Sequence, residues 1–192
     1  MKNEELRMLR ALAARLGSKE SKKNEELKQP RGLRNNNPLN IRFSEYNEWL
    51  GRVEKDKSDN SFEEFISLYF GIRAGIILLR RYIERGINTP RLIIRHWAPS
   101  NENNTEKYIE NVCEWSGLER DEHLYWERCD DMIPLICAMI RMECGVDGPE
   151  WKTRVAAAYV TYITSVRPSL QHASKYEFII SAIDVLNSLK KR

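Results

Sequence analysis

At 192 residues, 42% of them hydrophobic, the chain is long enough for one compact domain with an appendage and can bury a sizeable core. Its 31 Lys and Arg against 28 Asp and Glu leave a formal charge of only +3, and residues 1–30 alone, with eight basic and five acidic side chains, carry that excess. The near-neutral remainder argues against a nucleic-acid partner, which selects a concentrated basic surface, and no apolar run approaches the ~18 residues of a membrane span.

In chain order, residues 1–30 read as a charged helical arm and linker, with Leu6, Leu9, Leu12 and Leu16 at helical spacing before Gly17-Ser18 and a Lys/Glu-rich run. Met1-Lys2-Asn3-Glu4-Glu5 offers no apolar signal-peptide core, which predicts synthesis and folding in the cytoplasm. Arg34-Asn35-Asn36-Asn37-Pro38 fits neither helix nor strand interior: Asn favours turns, and Pro holds its predecessor extended. The short apolar pieces Leu39/Ile41/Phe43, Leu50/Val53 and Phe62/Phe65 between polar turns predict small antiparallel strands.

Helical signals follow. An apolar stripe at Ile72, Ile76, Leu79 and Ile83 predicts a helix over 70–85, closed by Gly86. Thr89-Pro90 opens another through His96, and Thr105 is the expected cap of a third ending at Ser116 before Gly117. A helix from Asp130 or Asp131 to Glu143 stops at Gly145, with Pro134 tolerated near its start. Two more are predicted at about 151–166 and 174–189, separated by Arg167-Pro168. The fold class is therefore α+β, predominantly helical with a small antiparallel β-sheet. Cys113, Cys129, Cys137 and Cys144 form no close pair and lie in helical runs, so buried free thiols are expected and neither a metal nor a cofactor is implied.

The segment Met132–Met142 is apolar on nearly every face, Arg141 excepted, and belongs in the middle of a domain. Glu143 ends it. A buried setting and the negative end of the helix dipole both oppose a further negative charge there, which is the condition a general acid for glycosidic cleavage needs. The competing reading is that Arg141 neutralises Glu143 or that the side chain simply reaches solvent.

Two motifs, Arg31-Gly32-Leu33-Arg34-Asn35-Asn36-Asn37-Pro38-Leu39-Asn40-Ile41-Arg42 and Phe70-Gly71-Ile72-Arg73-Ala74-Gly75, resemble those of phage and prophage virion structural proteins with lysozyme-like, lytic-transglycosylase-like domains. Trp97-Ala98-Pro99-Ser100-Asn101-Glu102-Asn103, then Tyr108, then Glu143-Cys144-Gly145 agree in order, so the resemblance spans about residues 28–146. It implies a lysozyme-like domain over 31–148, a C-terminal helical extension over 149–192, and residues 1–30 as a surface offered to other virion proteins. Asn36 to Arg42 also resembles the Asn-Asn-x-x-Gly-Ile-Lys segment of flagellar-type glucosaminidases, which there follows the catalytic helix. Here the Glu-terminated helix comes last, suggesting a circularly permuted arrangement with Glu143 facing the Asn-rich segment across a cleft. Leu39 stands where many phage relatives have glycine, and is expected to narrow any close backbone approach.

The resemblance implies peptidoglycan glycan strands as substrate, cleaved at the bacterial cell wall or by a virion-carried protein, with Glu143 as catalytic acid. Asn36 and Asn40 would bind hydroxyl or N-acetyl groups, Tyr108 would sit near the acid, and Trp97 would either pack or stack on a sugar. Asp56, Asp59, Glu63 and Glu64 fall in a charge-rich region and read as solvated surface; His96, His123 and His172 are unassigned. The alternatives are a non-catalytic virion or glycan-binding protein and, less favoured, a nucleic-acid module using Arg73, Arg80, Arg81 and Arg85.

Overall fold

The computed structural model describes residues 29–54, 59–100 and 104–166. The expected arm up to residue 28, the helix expected at 174–189, His172, Asp56 and Glu102 lie outside the described residues.

Six helices make up the described chain: α1 (Arg31–Arg34), α2 (Leu68–Glu84), α3 (Pro90–Trp97), α4 (Thr105–Ser116), α5 (Cys129–Cys144) and α6 (Pro149–Val166). The fold is predominantly helical. α5 is the hub, packing against α1, α4 and α6, as its all-round apolar surface requires. Leu135, Ile136, Met139 and Ile140 are all buried within it. α6 packs on both α5 and α2 and adds Trp151, Val155, Ala158 and Tyr159 to the same core, so no packing boundary falls at residue 148. No helix among the described residues is long and apolar enough to cross a membrane.

The helix ends follow local chemistry. Thr89 Oγ1 accepts from the Leu92 amide, capping α3 with Pro90 at its first position. At α4 the expected cap is displaced by one residue. Asn104 Oδ1 accepts from the Lys107 amide at 3.2 Å, while Thr105 is buried and donates its hydroxyl to the Ala98 carbonyl, tying α4 to the end of α3.

The expected β-sheet is reduced, among the described residues, to two isolated antiparallel bridges, Arg42 with Phe62 and Arg52 with Phe65. The reason lies in the asparagines. The Asn37 amide, fully buried, donates to the carbonyls of both Ile41 and Glu63 at 2.9 Å, and its Oδ1 accepts from the Ile41 amide at 3.0 Å. Asn36 donates to the Phe65 carbonyl at 2.9 Å, and Asn35 to Asp59 at 3.2 Å. Side-chain amides thus take over hydrogen bonds that a strand ladder would make, and a regular register never develops.

Two further expectations change. Glu63 is fully buried rather than solvated, paired with Arg52 at 3.1 Å, while Arg52 lies over the Phe43 ring at 4.6 Å. Leu39 does not narrow a backbone approach to the cleft: it is fully buried and inserts against Gly75 of α2.

The candidate functional site

The Asn-rich loop is carried on glycines. Gly71 and Gly75, one turn apart on α2, face it, the first against the Asn36 carbonyl and the second against Leu39. Gly32 of α1 faces Cys144, Asn37 and Asn40, where a Cβ would come within 2.6, 2.8 and 2.9 Å of them respectively. Three elements distant in sequence therefore meet at this loop, and the two motifs at 31–42 and 70–75 are the two sides of one contact.

The loop delivers Asn40 to the end of α5. Asn40 has φ +47°, a left-handed conformation that Asn tolerates better than most residues, and its amide lies 2.9 Å from Glu143 Oε2. From α4, the Tyr108 hydroxyl donates to Glu143 Oε1 at 2.8 Å. Each carboxylate oxygen is thus held by one donor from a different element. Burial, reinforced by the neighbouring Glu143, raises the Tyr108 phenol well above its usual 10.0, so it is a neutral donor and not a base.

Glu143 itself is half-buried and lines a cleft of about 560 Å³. One wall comes from the loop, with Arg42, Asn47 and Phe62; the other comes from α2 and the end of α3, with Tyr82, His96 and Trp97. Tyr82 stands edge-on to His96 (4.6 Å, 85°) and to Trp97 (6.2 Å, 72°), and burial raises its phenol above the usual range. Aromatic walls, amide groups, the Arg42 guanidinium and one acid are a combination suited to a polyhydroxylated ligand. Among the described residues lining the cleft, Glu143 is the one carboxylate.

Arg141 points elsewhere. It pairs with Asp147 at 3.3 Å and covers the Trp115 ring at 4.1 Å. The spacing explains this: two residues along a helix is about 200°, close to the opposite face. Of the five residues singled out from the sequence, Glu143, Asn40 and Tyr108 are in direct contact and Trp97 shares the cleft. Asn36 does not line it; its amide is committed to the Phe65 carbonyl. Sequence reasoning passed over Tyr82, Phe62, Asn47 and His96. His96 had a signal, adjacency to Trp97 at a helix end, whereas Tyr82 lies four residues beyond Leu78 on the same face and reads as ordinary packing.

All four cysteines are free. Burial pushes Cys137 up to about 11 and, with Glu143 adding to it, Cys144 up to about 12, so both remain thiols at neutral pH. Cys144 Sγ lies 3.3 Å from the Pro38 carbonyl, a further link between α5 and the loop. Among the described residues no group of three His, Cys, Asp or Glu is placed to hold a metal ion.

No family model matches the chain. Over 119 residues it is 44% identical to Protein P5 of Pseudoalteromonas phage PM2, a stretch covering 60% of this chain and 71% of that protein.

Proposed function

We propose that this chain, which belongs to the family of Protein P5 of Pseudoalteromonas phage PM2, is a glycan-cleaving protein of lysozyme-like type that acts on peptidoglycan with Glu143 as its general acid. The observation that carries the reading is Glu143 in an open cleft, held by Asn40 and Tyr108, with Arg141 paired to Asp147 on another face. An aromatic wall at Tyr82 and Trp97 gives sugar rings a surface to stack on. In the reaction Glu143 protonates the bridging oxygen of the sugar–sugar bond as it breaks. The carboxylate left behind keeps its two donors, and can take a proton from the attacking hydroxyl, either of water or of the substrate itself. The juxtaposition of the α5 terminus with the Asn-rich loop is what a permuted arrangement of these two segments requires.

A second reading, a non-catalytic glycan-binding virion protein, draws on the same contacts: a carboxylate engaged through both oxygens is also what a structural role produces. One experiment separates them. Purified peptidoglycan sacculi are treated with wild type and Glu143→Gln, turbidity is followed, and released fragments are identified by mass. Catalysis predicts turbidity loss with wild type and none with the variant, although the variant still sediments with sacculi. Sedimentation without any soluble fragments from the wild type selects the binding reading.

A further inference from the structure

We propose that Asn40 is a positioning residue for the Glu143 carboxyl group and not a contact for the sugar, an inference that rests on the glycan-cleaving reading and deepens it. The Asn40 backbone is fixed first: its amide donates to the Asn37 carbonyl at 2.9 Å, and φ is +47°. Asn37 is in turn pinned by three side-chain hydrogen bonds, two of them to Ile41 and one to Glu63, so the loop beneath Asn40 has little freedom. The side chain is wedged between α1 and α5. Its Nδ2 lies 2.9 Å from Glu143 Oε2 and 3.5 Å from the Glu143 carbonyl. Its Oδ1 is buried without a hydrogen-bond partner and lies on the Gly32 side, within 2.9 Å of where a Cβ on that residue would stand.

An acceptor buried without a partner is costly, and a simple turn residue has no reason to carry that cost. Aiming the donor at the carboxyl group supplies the reason. The terminal torsion of a glutamate is soft and broad, so one donor from Tyr108 leaves the second oxygen free to swing. A second donor, from a different element, fixes the plane of the carboxyl group against the cleft. With its amide hydrogen committed and its oxygen turned toward Gly32, Asn40 offers the substrate little. The sequence-based assignment of Asn40 to sugar binding therefore gives way to a role exerted through Glu143.

The test uses Asn40→Gly, because glycine adopts the same left-handed backbone without strain, so the loss is confined to the side chain that carries the amide. On purified peptidoglycan, kcat should fall about ten- to a hundredfold, as for other small misplacements of a reacting group, while the half-saturating substrate concentration changes less than about twofold. The second readout needs no activity. In full-length protein labelled with ¹³C at glutamate carboxyl carbons, the Glu143 resonance is identified by its loss in Glu143→Gln, and it should shift and broaden in Asn40→Gly. An unchanged Glu143 resonance, or a rise in half-saturation with kcat retained, overturns the proposal. Wild-type protein that leaves peptidoglycan intact while the resonance still responds to Asn40→Gly removes the glycan-cleaving reading and leaves the positioning contact standing.

Discussion

The Asn36 carbonyl lies against Gly71 so closely that a Cβ on that glycine would fall far inside van der Waals contact with it. Gly75 stands in the same relation to the Leu39 side chain, but there the obstacle is the flexible end of a leucine and not backbone. Alanine in a helix is worth about 1 kcal/mol over glycine. At Gly75 that gain partly offsets the repacking of Leu39, at Gly71 nothing can rotate away. Gly71→Ala should therefore cost at least about 2–3 kcal/mol, and Gly75→Ala clearly less, by urea denaturation at neutral pH. Equal losses would show that the loop yields as readily as a leucine methyl.

The buried pair of Glu63 and Arg52 gives a second prediction. Glu63 is wholly inaccessible, Arg52 caps it at 3.1 Å, and Glu63 Oε1 also accepts from the Ser44 amide. Removing the cation strands a buried carboxylate. Arg52→Ala should lower stability by about 3–5 kcal/mol, the usual consequence of breaking such a pair from one side. Arg141→Ala, which breaks a half-exposed pair with Asp147, should cost no more than about 1 kcal/mol through charge and leave peptidoglycan cleavage intact.

Asp59 supplies the pH dependence. Burial alone would raise its carboxyl, but hydrogen bonds from the Ser61 amide, the Asn35 side chain and the Phe62 amide, with Arg31 nearby, outweigh it and hold the group below its usual 3.8. A folded value below the unfolded one means stability that is fully present above the unfolded value and lost as pH falls through the folded one. The stability difference between wild type and Asp59→Asn should be constant from pH 8 down to about 5. It should then shrink on acidification below the ordinary Asp range. A difference that instead grows as pH falls reverses the sign and rejects these donors as the cause.

The helical half of the molecule was legible because period and punctuation agree there. Gly86, Gly117 and Gly145 follow their helices with positive φ, and the all-apolar run before Glu143 is the central helix. The loop half was not. Its alternating apolar pairs imitate strands, and nothing local announces that Asn35, Asn36 and Asn37 have their amides engaged with the segment from Asp59 to Phe65. Glu63 was misread for the same reason: its cation, eleven positions earlier, reaches it only through the folded loop. Of the cleft, Glu143 is legible as the end of the all-apolar helix and Asn40 and Tyr108 through motif order, whereas Tyr82 and Phe62 join it through tertiary packing that no spacing rule encodes.

Tyr108 completes the set. Its ring is buried in the core and its hydroxyl donates to Glu143 Oε1, so Tyr108→Phe removes one atom from a packed position. Loss of a single hydrogen bond to a half-buried carboxylate bears about 1–3 kcal/mol on stability, and the variant should remain folded. Activity on purified peptidoglycan should fall about tenfold or more, because one of the two donors fixing the acid is gone. The shape of the pH profile tests the role. Burial, with Glu143 adding to it, keeps the phenol protonated far above neutrality, so Tyr108 contributes no titration between pH 5 and 9. The Tyr108→Phe profile should run below that of wild type across this interval and retain both limbs. Disappearance of the alkaline limb in the variant would make Tyr108 a titrating participant and not a fixed donor.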